Sequence, residues 1–524
     1  MLLLRLRWCR SRSSGLGRRP SRHDLEDTGR ESRRIVLRRV ESCLISRLAP
    51  RRSVPKQERT MRKYRYQVLM LFAIALVAAA CGADGDDVGA GDTTTATEAP
   101  AAEETTATTT PAETTATTEE MMDEFVAGPL GAVELAPGED IQIRSLQAIS
   151  GPVAFLGIPN QNATQFAIDD YGPIRGLNVS LGTPLDDLFS AEGGQAAGQT
   201  IVADEKVIGV IGTSCSGAAV AAAPLISAAG MVIISPSNTS PALTSDMQGN
   251  AGTDYNPGYY RTAHNDLFQG AGVAKFVFED LGLTTAAAIH DGDPYTNGLA
   301  AAFQTAFEAL GGEVVVFTAV NKGDTDMTAV LSEVAGFSPE AIYFPIFQPE
   351  GDFIVQQIGS VSGLEDVTLI GADGLLVSEF LELPETTGMY FSGPDLAFGD
   401  NTSSTGVNAE AFLARYEAEF NELPSAAFWA HSYDATILLL TAIDAVAVES
   451  EDGTVYIDRQ ALRDELDATT DFPGIIGTIT CDAFGDCGAQ RIAVVLHEGD
   501  AVAATSNVVY SATREDLIDL ITGG

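Results

Sequence analysis

Two short segments place hydroxyl groups where an apolar run ends. "TSCSG" at 213–217 follows "VIGVIG", and "SPSNTS" at 235–240 follows "MVII". Neither lies near a recognisable catalytic base, so the hydroxyls read as binding groups rather than nucleophiles. Ser216 stands where the next helix should begin. The first N–H groups of a helix lack internal partners, and with the helix dipole they favour a small anion such as a carboxylate. A serine hydroxyl adds a neutral hydrogen bond, while Gly217 and Ala218 let a ligand reach the backbone. Ser237 and Thr239 offer similar donors from the neighbouring strand end. Plainer readings stay open for both segments: an N-cap serine at 216 and an ordinary turn at 235–240.

A third segment, "GADG" at 371–374, sets Asp373 between small residues at another strand end. A carboxylate there could accept from an ammonium group, or it could serve only an Asx-turn. Tyr295 and Phe347 also fall at strand ends and could pack on a ligand's carbon skeleton. Other chemistry finds no support. There is no GxxxxGK phosphate loop and no HExxH, and "GTSCSG" lacks the GxSxG spacing. His290 beside Asp291 and Asp293 reads as a strand-end loop with solvated acids rather than a metal site. The expectation is a protein that is not an enzyme, with no cofactor and no metal.

The elements that must position these residues alternate. From Ile141 onward, apolar runs and helical patterns follow one another as β-α-β-α-β with short connections, which implies a parallel sheet with right-handed crossovers. The alternation restarts after Arg261, and from about Ala397 two long helical patterns follow. The fold class is therefore α/β, with two similar Rossmann-like lobes. In open parallel sheets ligands sit beyond the carboxyl ends of the strands, where all of these candidate residues fall.

The 524-residue chain carries a formal net charge of -41, very unevenly spread. Residues 1–60 hold 17 Lys and Arg against 6 acids; residues 81–524 hold 11 against 66. Such an acidic body repels nucleic acid and suits solvation in a salty medium. Residues 1–60 lack apolar periodicity and read as an upstream extension. "MRKYRYQVLMLFAIALVAAAC" from Met61 has the basic start, apolar stretch and small-residue end of a secretory leader, 61–80, and resembles a bacterial lipobox with Cys81 as the lipid-modified residue. The Thr/Ala/Glu-rich stretch to 138 cannot bury enough apolar surface to fold and reads as a tether. Cys481 and Cys487 flank "DAFGD" and could close a small loop in an oxidising compartment. Cys215, among small apolar neighbours, reads as a buried inert thiol.

"SGPVAFLG", "VIGTSCSGAAVAAAPLISAAGMVIISPSNTSPALT", "YRTAHNDLFQG", "IHDGDPYTNGLAAAF" and "GADG" occur in the order and spacing of the branched-chain amino-acid binding proteins. These are the leucine/isoleucine/valine-type receptors of ABC importers. The resemblance covers about Ile141 to Tyr510 and implies a type I periplasmic-binding-protein fold, with lobes joined by a three-strand hinge. It implies lobe 1 from 139–264 and 395–478, and lobe 2 from 265–394 with completion in 479–524. Ser216 and Thr239, with main-chain help near Ser237, would bind a ligand's carboxylate. Asp373, where the family often has Glu, would take its ammonium, and Tyr295 and Phe347 would cover it. The partners implied are a small-molecule ligand, an ABC permease and, through Cys81, the outer face of the cell membrane. Leu156 stands where an aromatic often lines the pocket, and Phe189 is near the position of the family's cysteine partner for Cys215. The side-chain pocket therefore departs from the pattern. A short amide, urea or aromatic acid is an alternative ligand, and a sensing ectodomain of the same fold an alternative role.

Overall fold

The computed structural model describes residues 125–500 and 507–523. The expected extension (1–60), leader (61–80) and Cys81 lie outside the described residues, as does the tether as far as residue 124. The rest of the tether is not all loop. β1 (Ala132–Leu135) pairs antiparallel with a later strand, and Val133 and Leu135 enter the core. Strict alternation over only four residues is too short to stand out beside so polar a stretch.

Lobe 1 opens with β2 (Ile141–Gln147), α1 (Ala154–Tyr171), β3 (Val179–Ser180) and β4 (Leu185–Asp186). It continues through α2 (Ala191–Val202), β5 (Val207–Gly212), α3 (Ser216–Ala228), β6 (Val232–Ser235) and β7 (Tyr259–Arg261). The sheet runs β3-β2-β5-β6-β7, all parallel, with β4 also on β2. Counting sheet positions in chain order gives 2-1-3-4-5, a doubly wound sheet whose order reverses between β2 and β5. Every residue of β5 is buried, as a parallel strand covered on both faces requires.

Lobe 2 follows with α4 (Asp266–Lys275), β8 (Thr285–His290), α5 (Pro294–Ala309), β9 (Glu313–Ala319), α6 (Thr328–Phe337) and β10 (Ala341–Tyr343). Then come α7 (Glu350–Ile358), β11 (Thr368–Gly371), the short α8 (Ser378–Leu381) and β12 (Tyr390–Pro394). The parallel part runs β9-β8-β10-β11-β12, again 2-1-3-4-5, now reversing between β8 and β10.

The chain then returns to lobe 1 with α9 (Ala409–Phe420), α10 (Trp429–Val446), β13 (Ala447–Glu449), β14 (Val455–Asp458), α11 (Arg459–Asp467), β15 (Phe472–Gly474) and β16 (Gly477–Ile479). β1, β14 and β13 form a small antiparallel sheet, and β15 and β16 a hairpin. Finally β17 (Arg491–Leu496), β18 (Val508–Thr513) and α12 (Arg514–Thr522) complete lobe 2, with β17 antiparallel to β12 and β18 antiparallel to β17.

Among the described residues the chain thus passes between lobes three times, near 262–265, 395–397 and 488–490. A disulfide joins Cys481 to Cys487 just before the third passage. The lobe 1 core centres on α10, buried along nearly its whole length, with Phe166 of α1 packed among Phe412, Tyr416 and Phe420. The fully buried large apolar side chains there each contribute roughly 1.5–3 kcal/mol relative to exposure. Gly157 lets α1 start hard against β2: a Cβ there would lie 2.2 Å from Ala148 O. That approach aims the 148–156 turn at the cleft.

Candidate functional site

The carboxyl ends of the two sheets face each other across a narrow cavity, with about 30 Å³ accessible to the centre of a water molecule. On the lobe 1 side, β5 ends at Gly212 and α3 begins at Ser216. The N-cap position belongs to Cys215, whose side chain caps nothing, so Ser216 is not an N-cap serine. Its Oγ accepts from Ser240 N at 3.3 Å, which leaves the hydroxyl hydrogen free to be donated. Ser237 Oγ donates to Ser214 O at 3.0 Å and accepts from Asn160 Nδ2 at 3.5 Å. Ser214 is locked in turn: Oγ donates to Gln147 Oε1 and accepts from Ala148 N, and its N–H donates to Asp187 Oδ2 at 2.8 Å.

Asp187 organises this wall from behind. It also accepts from Phe189 N, and burial pushes its carboxyl up to about 6 against the pull of those hydrogen bonds. Leu188 and Phe189 both sit at positive φ, near 50°, a conformation that costs a non-glycine residue on the order of 1–3 kcal/mol. The strain carries the Phe189 ring across the cleft, edge-on to Phe347 of lobe 2, with centroids 4.4 Å apart.

On the lobe 2 side, Asp373 follows β11 and lines the cavity. Two donors meet at its Oδ1, Gln269 Nε2 at 2.6 Å and Tyr295 Oη at 2.9 Å. Burial dominates and pushes the carboxyl up to about 6 in spite of both donors. Tyr295 is the second residue of α5, and Pro294 and the Asp293 cap fix that helix start. Burial and the Asp373 charge hold the Tyr295 phenol well above its usual value, so it stays a donor. Phe347 packs on Tyr295 with centroids 5.1 Å apart.

The lobes also touch beside the cavity at a helix start. A Cβ built on Gly217 would lie 2.7 Å from Asp293 Oδ2, so the acid that caps α5 abuts the first turn of α3. Lys322 pairs with Asp293 at 3.0 Å and lies over the Phe189 ring at 5.6 Å.

The periplasmic binding protein family model matches residues 140–495, most of the chain. The chain belongs to the periplasmic binding protein family. Its relatives include the Leu/Ile/Val-binding protein BraC3 of Rhizobium johnstonii, 27% identical over 371 residues, 70% of this chain and 94% of that one. The leucine-binding protein LivK of Thermotoga maritima matches at 25% identity and TM-score 0.60, over 72% of this chain and all of LivK. The branched-chain amino acid binding protein LivJ of Streptococcus pneumoniae, solved with isoleucine, matches at 26% identity and TM-score 0.57, over 72% of this chain and 99% of LivJ. These relatives are type I periplasmic binding proteins and bind solutes. The fold read from the sequence is therefore the fold of this chain.

In this periplasmic binding protein, Ser216, Ser237, Tyr295, Phe347 and Asp373 all line one cavity. Thr239 does not: it is buried just behind the wall, where its side chain and carbonyl both face Asp266, the carbonyl accepting from Asp266 N at 2.9 Å. Leu156 and Phe189, noted in the sequence as departures, line the cavity as well. The sequence reading missed Phe428, which closes the cavity from lobe 1, and Gln269, the donor behind Asp373. Both lie in stretches whose apolar pattern signals only a helix. Cys215 is buried, and burial pushes its thiol up, away from reactivity. Among the described residues no helix is long and apolar enough to cross a membrane.

Proposed function

We propose that this periplasmic binding protein captures an amino acid of the branched-chain type, or a similar small zwitterion, in the cleft between its lobes. The supporting observation is that the free hydroxyl of Ser216 at a helix start and the acid Asp373 line a single cavity from opposite lobes. Ser216, whose hydroxyl hydrogen is free, and the first N–H groups of α3 suit a carboxylate, while Ser237 Oγ, already donating to Ser214 O, braces that wall. Asp373, with Oδ1 already held by two donors, offers its remaining oxygen to an ammonium group. Phe189, Phe347, Leu156 and Phe428 give an apolar surround for an aliphatic side chain.

Such a ligand touches both lobes at once, so it binds the closed form better than any open one and shifts the population by that difference. The closed protein would then deliver its ligand to an ABC permease, held near the outer face of the membrane by a lipid on Cys81. Titration calorimetry with L-leucine, L-isoleucine, L-valine, urea, acetamide and benzoate tests the reading. A branched-chain amino acid should bind tightest; preference for benzoate or an amide would replace the zwitterion with that class.

A further inference from the structure

Gln269 lies behind the cavity wall, and both ends of its amide are engaged. It is fully buried on α4, the first helix after the first passage between lobes. Its Nε2 donates to Asp373 Oδ1 at 2.6 Å, and to Ser392 Oγ and O at 3.1 and 3.2 Å. Its Oε1 lies 2.5 Å from His264 Nε2. His264 sits in the first passage, is fully buried, and stacks on Phe428, which lines the cavity. Burial pushes His264 down to about 4, so the ring is neutral at neutral pH, and its Nε2–H tautomer is the one that can donate to Oε1. A reversed amide would set its oxygen against the Asp373 carboxylate and the Ser392 carbonyl, so those two acceptors fix the orientation of Gln269, and His264 takes the matching tautomer. Ser392 lies in β12, which ends at the second passage, and shares its Oγ with Tyr343 Oη at 3.1 Å.

We infer that Gln269 is the positioning residue of this site: it orients Asp373 and ties that acid to two of the passages about which the lobes turn. The ligand side of this inference rests on the reading of Asp373 as the acceptor for an ammonium group. Asp373 also faces the Asp266 carboxyl on α4, Tyr295 on α5 and Tyr343 at the end of β10. Without the amide donor, Oδ1 keeps only Tyr295 against the same burial, so the neutral carboxyl gains.

Isotope-edited infrared titration of the ligand-free full chain reads this directly, with the Asp373 band identified by its loss in Asp373→Asn. The midpoint should rise by about one to two pH units in Gln269→Leu, the worth of one hydrogen bond to a charged group. The isosteric Gln269→Glu should split the titration into two coupled steps with the upper one raised. A midpoint unmoved in both variants overturns the inference. At pH 7, Gln269→Leu should weaken L-leucine at least about tenfold and leave 4-methylpentanoate, the same skeleton without the amine, unchanged. Equal loss of both compounds would mean a packing role and also overturn it. L-leucine binding indifferent to Asp373→Asn would instead remove the ammonium reading, while the carboxyl midpoint still judges Gln269.

Discussion

At Asp373, burial and hydrogen bonding act against each other. Burial alone would neutralise the acid; Gln269 and Tyr295 hold the midpoint near 6, low enough to ionise at neutral pH. An ammonium ligand needs the ionised form. Amino-acid affinity should thus be full above about pH 7 and fall as pH drops through 6, and binding near pH 6 should release a proton. Calorimetry in buffers of different ionisation enthalpy measures that release; proton uptake would contradict it. Asp373→Asn should weaken L-leucine by about 30-fold or more, since a charge-assisted pair is worth 2 kcal/mol or above when buried, and should flatten the pH profile. Taken singly these residues also fitted a cap or a turn; they were legible as a set, because they fall at strand ends in the order and spacing of a known family. Phe428 and Gln269 were not, because aromatic and amide side chains in apolar surroundings look like core until their partners are known.

Helices α3 and α5 meet across the cleft at Gly217 and Asp293, where a Cβ on residue 217 would lie 2.7 Å from the Asp293 carboxylate. Gly217→Ala should therefore oppose full closure. L-leucine affinity should fall about tenfold or more, since forcing a methyl into a packed contact costs on the order of 1–3 kcal/mol, and small-angle scattering should show a larger radius with ligand. Asp293→Gly in the same chain should restore both readings; failure to restore them would place the clash elsewhere. At this scale the alternation of strands and helices was plain from the apolar pattern, yet some ends were not. α1 begins at Ala154, earlier than its periodicity suggests, because Pro159 interrupts the pattern without breaking the helix. β10 stops at Tyr343 although "AIYFPIF" continues apolar, because Pro345 has no N–H for the ladder. β1 was invisible, since its partner β14 lies more than 300 residues away in sequence.

Across the whole molecule, the first and third passages are clamped together on their lobe 1 side. Arg261 at the end of β7 is fully buried and ion-paired with Asp486. The guanidinium also donates to Ser240 O at 2.8 Å and Thr244 Oγ1 at 2.6 Å, while Asn265 Nδ2 donates to Asp486 Oδ2 at 3.2 Å. The disulfide between Cys481 and Cys487 closes the loop that carries Asp486. These ties join 261–265 to the loop that carries Asp486, and together they form an anchor against which the lobes would turn on closure. Asp486→Asn leaves a buried guanidinium without its counter-charge and should lower unfolding stability by about 3–5 kcal/mol. Replacing both cysteines by serine should cost about 2 kcal/mol, as expected for so short a loop. Neither change touches the cavity wall. Ligand at a hundredfold excess over Kd should therefore still add about 2.7 kcal/mol to each variant, as it should to the parent chain. Denaturant titrations with and without L-leucine separate the two effects. Parent-like stability in Asp486→Asn, together with loss of the ligand increment, would make the pair part of the closing motion rather than the anchor it turns against.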